Sequence, residues 1–404
     1  MRNFKLVAVS GGVVLVALVG LSDITSGGDD GEIPKIALRF HKEPDKRVKV
    51  ATMRFGMSLP GLKNPEKPRE DKKLTWDAQG ITSTVCLKID GEEILFGYQP
   101  GEWLEKEGKL AGGVRSSWLF PAKKVVITQM VNVGKGNQTF AVDTCRIQYT
   151  IENKDTESHR AGLRFLLDTF IGTNDGAPFI IPGEKELCAT MKEFSGDKVP
   201  DFAQALESLD FKKPGVIAHI NFKMGGGVEP PGRVAFTSWP DLLLKVPGAD
   251  AWMTKWKVPM ISIQTSKDSA AVLYWEEKEI AAGAKRTLGF TYGLGSFSAN
   301  AAGNLGVILA GNFQADSDFT VLALVKDAKA KDTLTLHLTD GLARSEGAET
   351  QAIPPAKGEA KVSPVTWKVR PLRPGTYAVG IESNTGAFHH QGVRINKKDS
   401  RPEK

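Results

Sequence analysis

Acidic and amide side chains follow one strongly apolar stretch of the chain, Leu163 to Gly183. Asp168 lies in its apolar part, and Asn174 and Asp175 lie in the glycine-bounded turn that comes next. Carboxylate and amide oxygens in such a turn can bind a cation or the hydroxyl groups of a sugar. The same residues can instead serve the fold, with Asp168 paired to a neighbouring strand and the other two forming the turn. The pattern favours this structural role, and its spacing does not match an EF-hand calcium loop.

Arg164 and Asp168 share one face of the strand predicted here, because side chains alternate along a strand. Leucines occur on both faces, so we expect the strand to be covered on both sides. A buried charge without a partner costs several kcal/mol, and each of the two therefore needs a partner from elsewhere in the chain. Arg164, Asp168, Asn174 and Asp175 are the first candidates for a ligand-binding site.

Tryptophan side chains provide a second set of candidates, namely Trp103, Trp118 and Trp239. An indole at a loop or strand end can stack on the face of a sugar ring, although most tryptophans pack in cores. The adjacent Glu276 and Glu277 are similar to a glycosidase carboxylate pair. Neighbouring strand residues point to opposite faces, however, so we do not expect these two to act together.

The sequence contains no recognisable catalytic or metal-binding motif. Its six histidines lack zincin spacing, its three cysteines form no C-x-x-C pair, and it has no G-x-S-x-G or phosphate-binding loop. We therefore expect no metal and no cofactor, and we assign no catalytic residue. Cys86 and Cys145 alternate with apolar neighbours, which predicts buried free thiols, with a disulfide between them as the alternative.

The composition is that of a soluble globular protein, with 41% hydrophobic and 25% charged residues. A length of 404 residues predicts more than one domain. The net charge of +6 is small for this length and the charges are spread along the chain. Nucleic-acid binding is therefore not expected.

The N-terminus has the pattern of a targeting segment. Arg2 and Lys5 precede an apolar run over residues 6–21, and acidic residues follow it. This predicts that residues 1–22 are a signal peptide or an uncleaved membrane anchor. The rest of the chain is then extracytoplasmic, in the periplasm, on the cell surface or secreted, with residues 23–46 as a linker.

Strand patterns dominate from residue 47 onwards. About a dozen short strands over residues 47–298 predict an all-β fold, a large antiparallel β-sandwich or supersandwich. Asp90-Gly91 is a strong hairpin signal. Two short helices are predicted, one opening at Pro200-Asp201 with an apolar stripe from Phe202 to Leu209, and one over residues 249–255.

A change in composition at residues 298–303 predicts a domain boundary. Residues 299–396 then contain about seven short strands and Trp367, which is typical of a smaller immunoglobulin-like sandwich. Residues 397–404 are a charged tail.

Three segments resemble an uncharacterised group of exported bacterial β-sandwich proteins: IDGEEILFG (Ile89–Gly97), LDTFIGTNDGAPFIIPG (Leu167–Gly183) and VPDFAQALESLDFKKPG (Val199–Gly215). The D-T-x-x-G-x-N-D-G-x-P-F string is the most specific part. That group is similar in shape to the large sandwich of galactose-mutarotase-like domains, which implies association with carbohydrate. Residues 316–395 are similar to immunoglobulin-like modules of bacterial surface proteins, which implies a spacer or adhesion unit.

Three functions remain open. The leading hypothesis is an exported, non-enzymatic cell-envelope binding or scaffold protein associated with carbohydrate, with a glycan or an envelope protein as partner and with the membrane as well if the N-terminus is uncleaved. The second is a carbohydrate-active enzyme of mutarotase-like fold that uses Asp168 and Asp175. The third is a purely structural envelope component. An open cleft lined by Arg164, Asp168, Asn174 and Asp175 would favour the enzyme.

Overall fold

The computed structural model describes residues 32–41, 52–240 and 255–397. The predicted targeting segment, nearly all of the second predicted helix and almost the whole charged tail lie outside these residues. Within the described ranges, no helix is long and apolar enough to cross a bilayer.

Most of the described chain before residue 298 is β-strand. The strands are β1 (Ala37–His41), β2 (Arg54–Lys63), β3 (Asp71–Thr75), β4 (Thr84–Ile89), β5 (Glu92–Leu95), β6 (Glu102–Leu110), β7 (Gly113–Phe120), β8 (Val125–Lys135), β9 (Val142–Asn153), β10 (His159–Gly172), β11 (Lys192–Ser195), β12 (Phe202–Leu206), β13 (Ile217–Asn221), β14 (Arg233–Thr237), β15 (Ser269–Ile280) and β16 (Lys285–Leu294). Helical structure is limited, in the described residues, to α1 (Ile263–Ser266) and two 3₁₀ turns, Pro121–Lys123 and Gly196–Lys198.

These strands form two antiparallel sheets. The first has the order β1-β2-β3-β10-β15-β14-β11, with β4 and β5 attached through β10, and the second has the order β12-β13-β16-β9-β8-β7-β6. Apolar side chains from the two facing surfaces build one continuous core, in which Phe165 of β10 lies against Tyr149 of β9. The predicted all-β sandwich of antiparallel sheets is confirmed.

β10 is covered on both faces, as its leucines predict. Phe165 and its alternate neighbours face the core between the sheets, whereas Leu166 packs in a smaller cluster with Trp239 and Tyr274 on the other face of the first sheet. Arg164 and Asp168 lie on this second face and are 0% and 1% exposed. Both charged groups are therefore buried.

The prediction of a helix that begins at Pro200-Asp201 is wrong. Phe202–Leu206 is strand β12, paired with β13. Ala203 and Ala205 face the core between the sheets, and Phe202 and Leu206 face the C-terminal unit. A strand buried on both faces carries apolar residues at most positions, and these can reproduce a helical spacing.

Part of the predicted linker also belongs to a sheet. Ala37–His41 form β1, which pairs with β2, and Leu38 is fully buried in the core. These residues of the predicted linker are thus part of the first sheet.

The C-terminal unit is a second β-sandwich. Its strands are β17 (Ser298–Ala299), β18 (Leu305–Gly311), β19 (Phe319–Lys326), β20 (Thr333–Leu338), β21 (Leu342–Glu346), β22 (Thr350–Ala352), β23 (Val362–Pro371), β24 (Gly375–Ser383) and β25 (Phe388–Ile395). They form two sheets, β17-β18-β19-β23-β21 and β22-β20-β24-β25. Trp367 is buried in the core of this unit.

The C-terminal unit packs directly on the large domain. Val321 of β19 faces the unit's own core, whereas Ile308 of β18 and Leu322 of β19 join a cluster with Phe202 and Leu206 of the large domain. The sheet that contains β18 and β19 is thus buried on both faces, and a hydrophobic interface joins the two units.

All three cysteines are buried and free. Cys86 packs in the outer cluster of the first sheet and Cys145 in the core between the sheets. The two thiols therefore belong to different layers, and the prediction of buried free thiols is confirmed for this pair.

Candidate functional site

A polar cleft of about 350 Å³ lies on the outer face of the second sheet. Its floor comes from β8, β9, β16, β13 and β12, whose inward-facing residues build the core. Thr144, Arg146 and Gln148 alternate along β9 with the buried Cys145 and Ile147. Polar residues that alternate with apolar ones predict a strand with one wet face, and in the structure that face of β9 is part of the cleft.

One row of side chains crosses the floor in register. Asn132 lies opposite Arg146, and Arg146 lies opposite Thr291. Asn221 continues the row beside Thr291, and Phe202 ends it. Neighbouring strands lie about 4.8 Å apart, so the row extends over about 19 Å. Amide, guanidinium and hydroxyl groups thus share a surface as long as a short oligomeric ligand.

The loop after β13 forms one wall of the cleft. Gly225, Gly226 and Gly227 have φ angles of +72°, +62° and +77°. Residues that carry a side chain rarely adopt this backbone conformation. A Cβ atom on Gly289 would lie 3.0 Å from Met224 Sδ, so the loop rests directly on that position of the sheet. The glycines allow the chain to turn sharply beside the floor.

The central cation of the cleft is Arg146. This side chain is exposed, and within the part of the chain that the structure describes its guanidinium makes no ion pair and no side-chain hydrogen bond. The acidic Asp201 at the edge of the cleft lies beside Lys223 and, at 3.7 Å, beside Lys368. The two lysines therefore compensate the negative charge of Asp201, whereas the guanidinium of Arg146 faces the cleft.

His219 is the imidazole of the cleft. Its ring packs 5.1 Å from that of Phe202, and burial lowers the pKa of His219 to about 3. The imidazole is accordingly neutral over the physiological pH range, and a base of such low pKa is poorly suited to proton transfer near neutral pH.

The residues predicted from the sequence lie in the other sheet, and the structure gives Arg164 a structural role. Its guanidinium donates to Thr84 Oγ1 at 2.6 Å and to the Lys255 carbonyl at 2.7 Å. Burial lowers the pKa of Arg164. The Arg164 side chain is fully buried and held by protein groups, so it presents no surface to a ligand in this structure.

Asn174 closes the turn after β10. Its amide donates to the Glu207 carbonyl at 3.0 Å, and its Oδ1 accepts from the Gly176 N–H at 3.1 Å. Asn174 is thus engaged with the backbone, as the structural alternative predicted. Arg164 and Asp168 are buried, so these four residues do not line one open cleft.

Asp168 and Asp175 do come together, and Asp268 joins them. One carboxylate oxygen of each lies within 4.8 Å of the others. Burial raises the pKa of Asp168 well above its usual value, the charges of Asp268 and Asp175 raise it further, and the Thr82 hydroxyl opposes the rise. These oxygens are the described carboxylates best placed to hold a cation.

The three tryptophan candidates pack into the protein. Trp118 is 0% exposed and lies between Phe96 and Phe120. Trp239 is also buried, and its Nε1 donates to the Thr82 carbonyl at 3.0 Å. Trp103 is half-buried against Phe96. Trp118 and Trp239 are therefore packed inside the protein and present no open indole face to a sugar in this structure.

Comparisons with known proteins give no family. No family model matches the chain, and no curated protein matches its sequence. Among solved structures, a polysaccharide lyase is similar with 9% identity and a TM-score of 0.33, over 90% of this chain and 46% of the lyase, so this chain spans about half of that protein's length. A galactose mutarotase related enzyme from Lactobacillus acidophilus is similar with 9% identity and a TM-score of 0.31, over 65% of this chain and 95% of the enzyme. Similarity at this level carries no argument about function.

Proposed function

We propose that this protein is a non-enzymatic binding protein whose polar cleft takes an acidic carbohydrate, such as a chain that contains uronic acid. The observation that carries the proposal is Arg146. It is an exposed guanidinium on the cleft floor with no acidic partner among the described side chains. A guanidinium binds a carboxylate through two parallel hydrogen bonds, which is stronger and more specific than a neutral contact.

The groups around Arg146 suit the rest of such a ligand. Asn132 and Thr291 flank it directly on the neighbouring strands, and Gln148 lies two residues along β9. Amide and hydroxyl groups both donate and accept hydrogen bonds, as the hydroxyl groups of a sugar require. A row of about 19 Å also exceeds the length of one sugar unit, which favours an oligosaccharide over a monosaccharide.

The ionisable groups of the cleft support binding over catalysis. The pKa of His219, lowered to about 3 by burial, is far below the value that suits a general base near neutral pH. Asp201, at the edge of the cleft, is paired with Lys223 and Lys368. The described cleft residues thus offer recognition groups, and His219 among them is poorly suited to act as a base.

A panel of acidic and neutral glycans, followed by calorimetric titration of those that bind, tests the proposal. We expect Arg146→Ala to weaken binding of a uronate oligosaccharide about tenfold or more, because a hydrogen bond to a charged group contributes about 1.5–3 kcal/mol. Arg394→Ala is the matched control, since Arg394 is an exposed strand arginine of the C-terminal unit. Failure of every acidic glycan to bind, or equal losses in the two variants, would refute the proposal.

We further propose that the chain is exported, on the basis of the basic start and the apolar run over residues 6–21. N-terminal sequencing of the protein recovered from cell fractions tests this. An extracytoplasmic chain that begins near residue 23 supports a signal peptide, and one that retains residue 1 in the membrane fraction supports an anchor. Recovery of the intact chain from the cytoplasm alone contradicts export.

A further inference from the structure

A second site lies on the first sheet, where three separate segments bring carboxylates together. Asp168 comes from β10, Asp175 from the turn after it, and Asp268 from the connection between α1 and β15. The register explains the meeting, because Thr169 of β10 lies opposite Ser269 of β15. Asp168 and Asp268 are the sequence neighbours of this pair, and Ser269 Oγ donates to the Asp175 carbonyl at 2.7 Å.

The buried carboxylate of Asp168 points to a ligand independently of the cluster. Asp168 is 1% exposed, and its Oδ1 makes no hydrogen bond in the described structure; the Thr82 hydroxyl, which influences its pKa, is likewise without a hydrogen-bond partner. A buried acceptor without a partner costs roughly 1–3 kcal/mol, and more when it is charged. Most buried polar atoms in native proteins have a protein, water or ion partner, so this oxygen requires one.

The donor set and its spacing identify the class of ligand. All three donors are carboxylate oxygens, which favour a hard cation over zinc or copper. Calcium binds oxygens at about 2.3–2.6 Å, so two oxygens on opposite sides of the ion lie about 4.6–5.2 Å apart. Oxygens that lie within 4.8 Å of one another are close enough to share one such ion. Magnesium, at about 2.0–2.1 Å, needs a smaller cage.

We propose that Asp168, Asp175 and Asp268 bind one calcium ion. Asp175 and Asp268 are half-buried, so the ion enters from their side and reaches Asp168 at the bottom of the site. The metal fastens the turn after β10 to the start of β15, where Ser269 Oγ already donates to the Asp175 carbonyl at 2.7 Å. The proposal departs from the sequence-based expectation of no metal, and it does not depend on the function proposed for the cleft.

Calorimetric titration of the EDTA-treated full-length protein with calcium chloride tests the site. We expect one ion per chain and a rise in unfolding temperature of about 3–5 °C at saturating calcium. We expect Asp175→Asn and Asp268→Asn each to lower the affinity for calcium about tenfold or more. These two residues are chosen because they are partly exposed, so the variants should still fold. Circular dichroism verifies that both variants retain the β-sheet spectrum.

Asp340→Asn is the control, since Asp340 is an exposed aspartate of the C-terminal unit. We expect it to bind calcium as the wild type does. Absence of calcium binding by the wild type, unchanged affinity in both cluster variants, or equal or tighter binding of magnesium chloride would each overturn the assignment. Glycan binding by the cleft is measured separately, so failure of one proposal leaves the other open to its own test.

Discussion

Glu207 joins three segments of the large domain, and its substitution is the most direct test of how this region is held. Its carboxylate accepts from Lys72 Nζ at 2.7 and 2.8 Å, from the Thr173 N–H at 3.1 Å and hydroxyl at 2.8 Å, and from the Val216 N–H at 2.8 Å. The side chain is only 8% exposed. Glu207→Gln keeps the shape of the side chain but removes its negative charge. It also replaces one acceptor oxygen by an NH₂ group, which then faces the donors that the carboxylate binds.

We expect Glu207→Gln to lower the free energy of unfolding by about 3 kcal/mol at neutral pH. This is the lower end of the range of about 3–5 kcal/mol for breaking a buried ion pair. The lower end applies because Lys72 is 15% exposed and can regain some hydration.

The decrease in the free energy of unfolding caused by Glu207→Gln should depend on pH. Burial alone raises the pKa of Glu207, but hydrogen bonds from Lys72, Val216 and Thr173 lower it by more, so the pKa lies below its usual value. Such a carboxylate stabilises the fold above its unfolded-state pKa of about 4.3, and this contribution is lost as the pH falls through the folded-state value. The difference between wild type and variant should therefore be full at neutral pH and shrink in acid.

Urea unfolding followed by tryptophan fluorescence, at neutral pH and in acid, measures both effects. Glu152→Gln is the matched control, because Glu152 lies 2.7 Å from Lys154, as Glu207 does from Lys72, but its pair is 33% and 54% exposed. Exposed pairs contribute about 0–1 kcal/mol, so the control should change little. Equal losses in the two variants, or a difference that persists unchanged in acid, would refute this reasoning.

Two further predictions concern buried side chains. Burial raises the pKa of Cys86 to about 11 and of Cys188 to about 12, and it raises that of Cys145 as well. Iodoacetamide at neutral pH should therefore modify none of the three before denaturant is added, and mass spectrometry showing rapid native modification of any one contradicts this. Leu322→Lys places a charge in the interface between the units and should lower the unfolding temperature of both by several degrees, whereas Thr376→Lys on an exposed face should not. Calorimetry measures both unfolding temperatures. If the large domain of Leu322→Lys unfolds at the wild-type temperature, the interface does not stabilise the large domain.

The strands were predictable where local pattern alone decides them. The alternation around Cys145 gives β9 its wet face, and Asp90-Gly91 turns β4 into β5 with φ angles of +49° and +83°. The apolar pattern of Phe202–Leu206 imitates a helix because both faces of this strand are buried, one against the core and one against the C-terminal unit. The second contact comes from residues about one hundred positions away, which no local period can reveal.

The candidate sites are harder to predict from the sequence, because residues that are distant along the chain form them. Asp168 and Asp175 are close in sequence, but Asp268 joins them only through the pairing of β10 with β15. The cleft takes one to three residues from each of several strands, so no compact motif marks it. Arg146 belonged to a strand face predicted to be wet, and that was the one available signal.

The hydrophobic interface between the two units also sets a condition on biosynthesis. Phe202 and Leu206 are covered by side chains of β18 and β19, so this patch stays bare until residues up to 326 have been translated. At roughly 5–20 residues per second that interval is on the order of ten seconds. During it the nascent chain exposes a hydrophobic surface that favours aggregation, and a fragment that ends near residue 298 would expose it permanently.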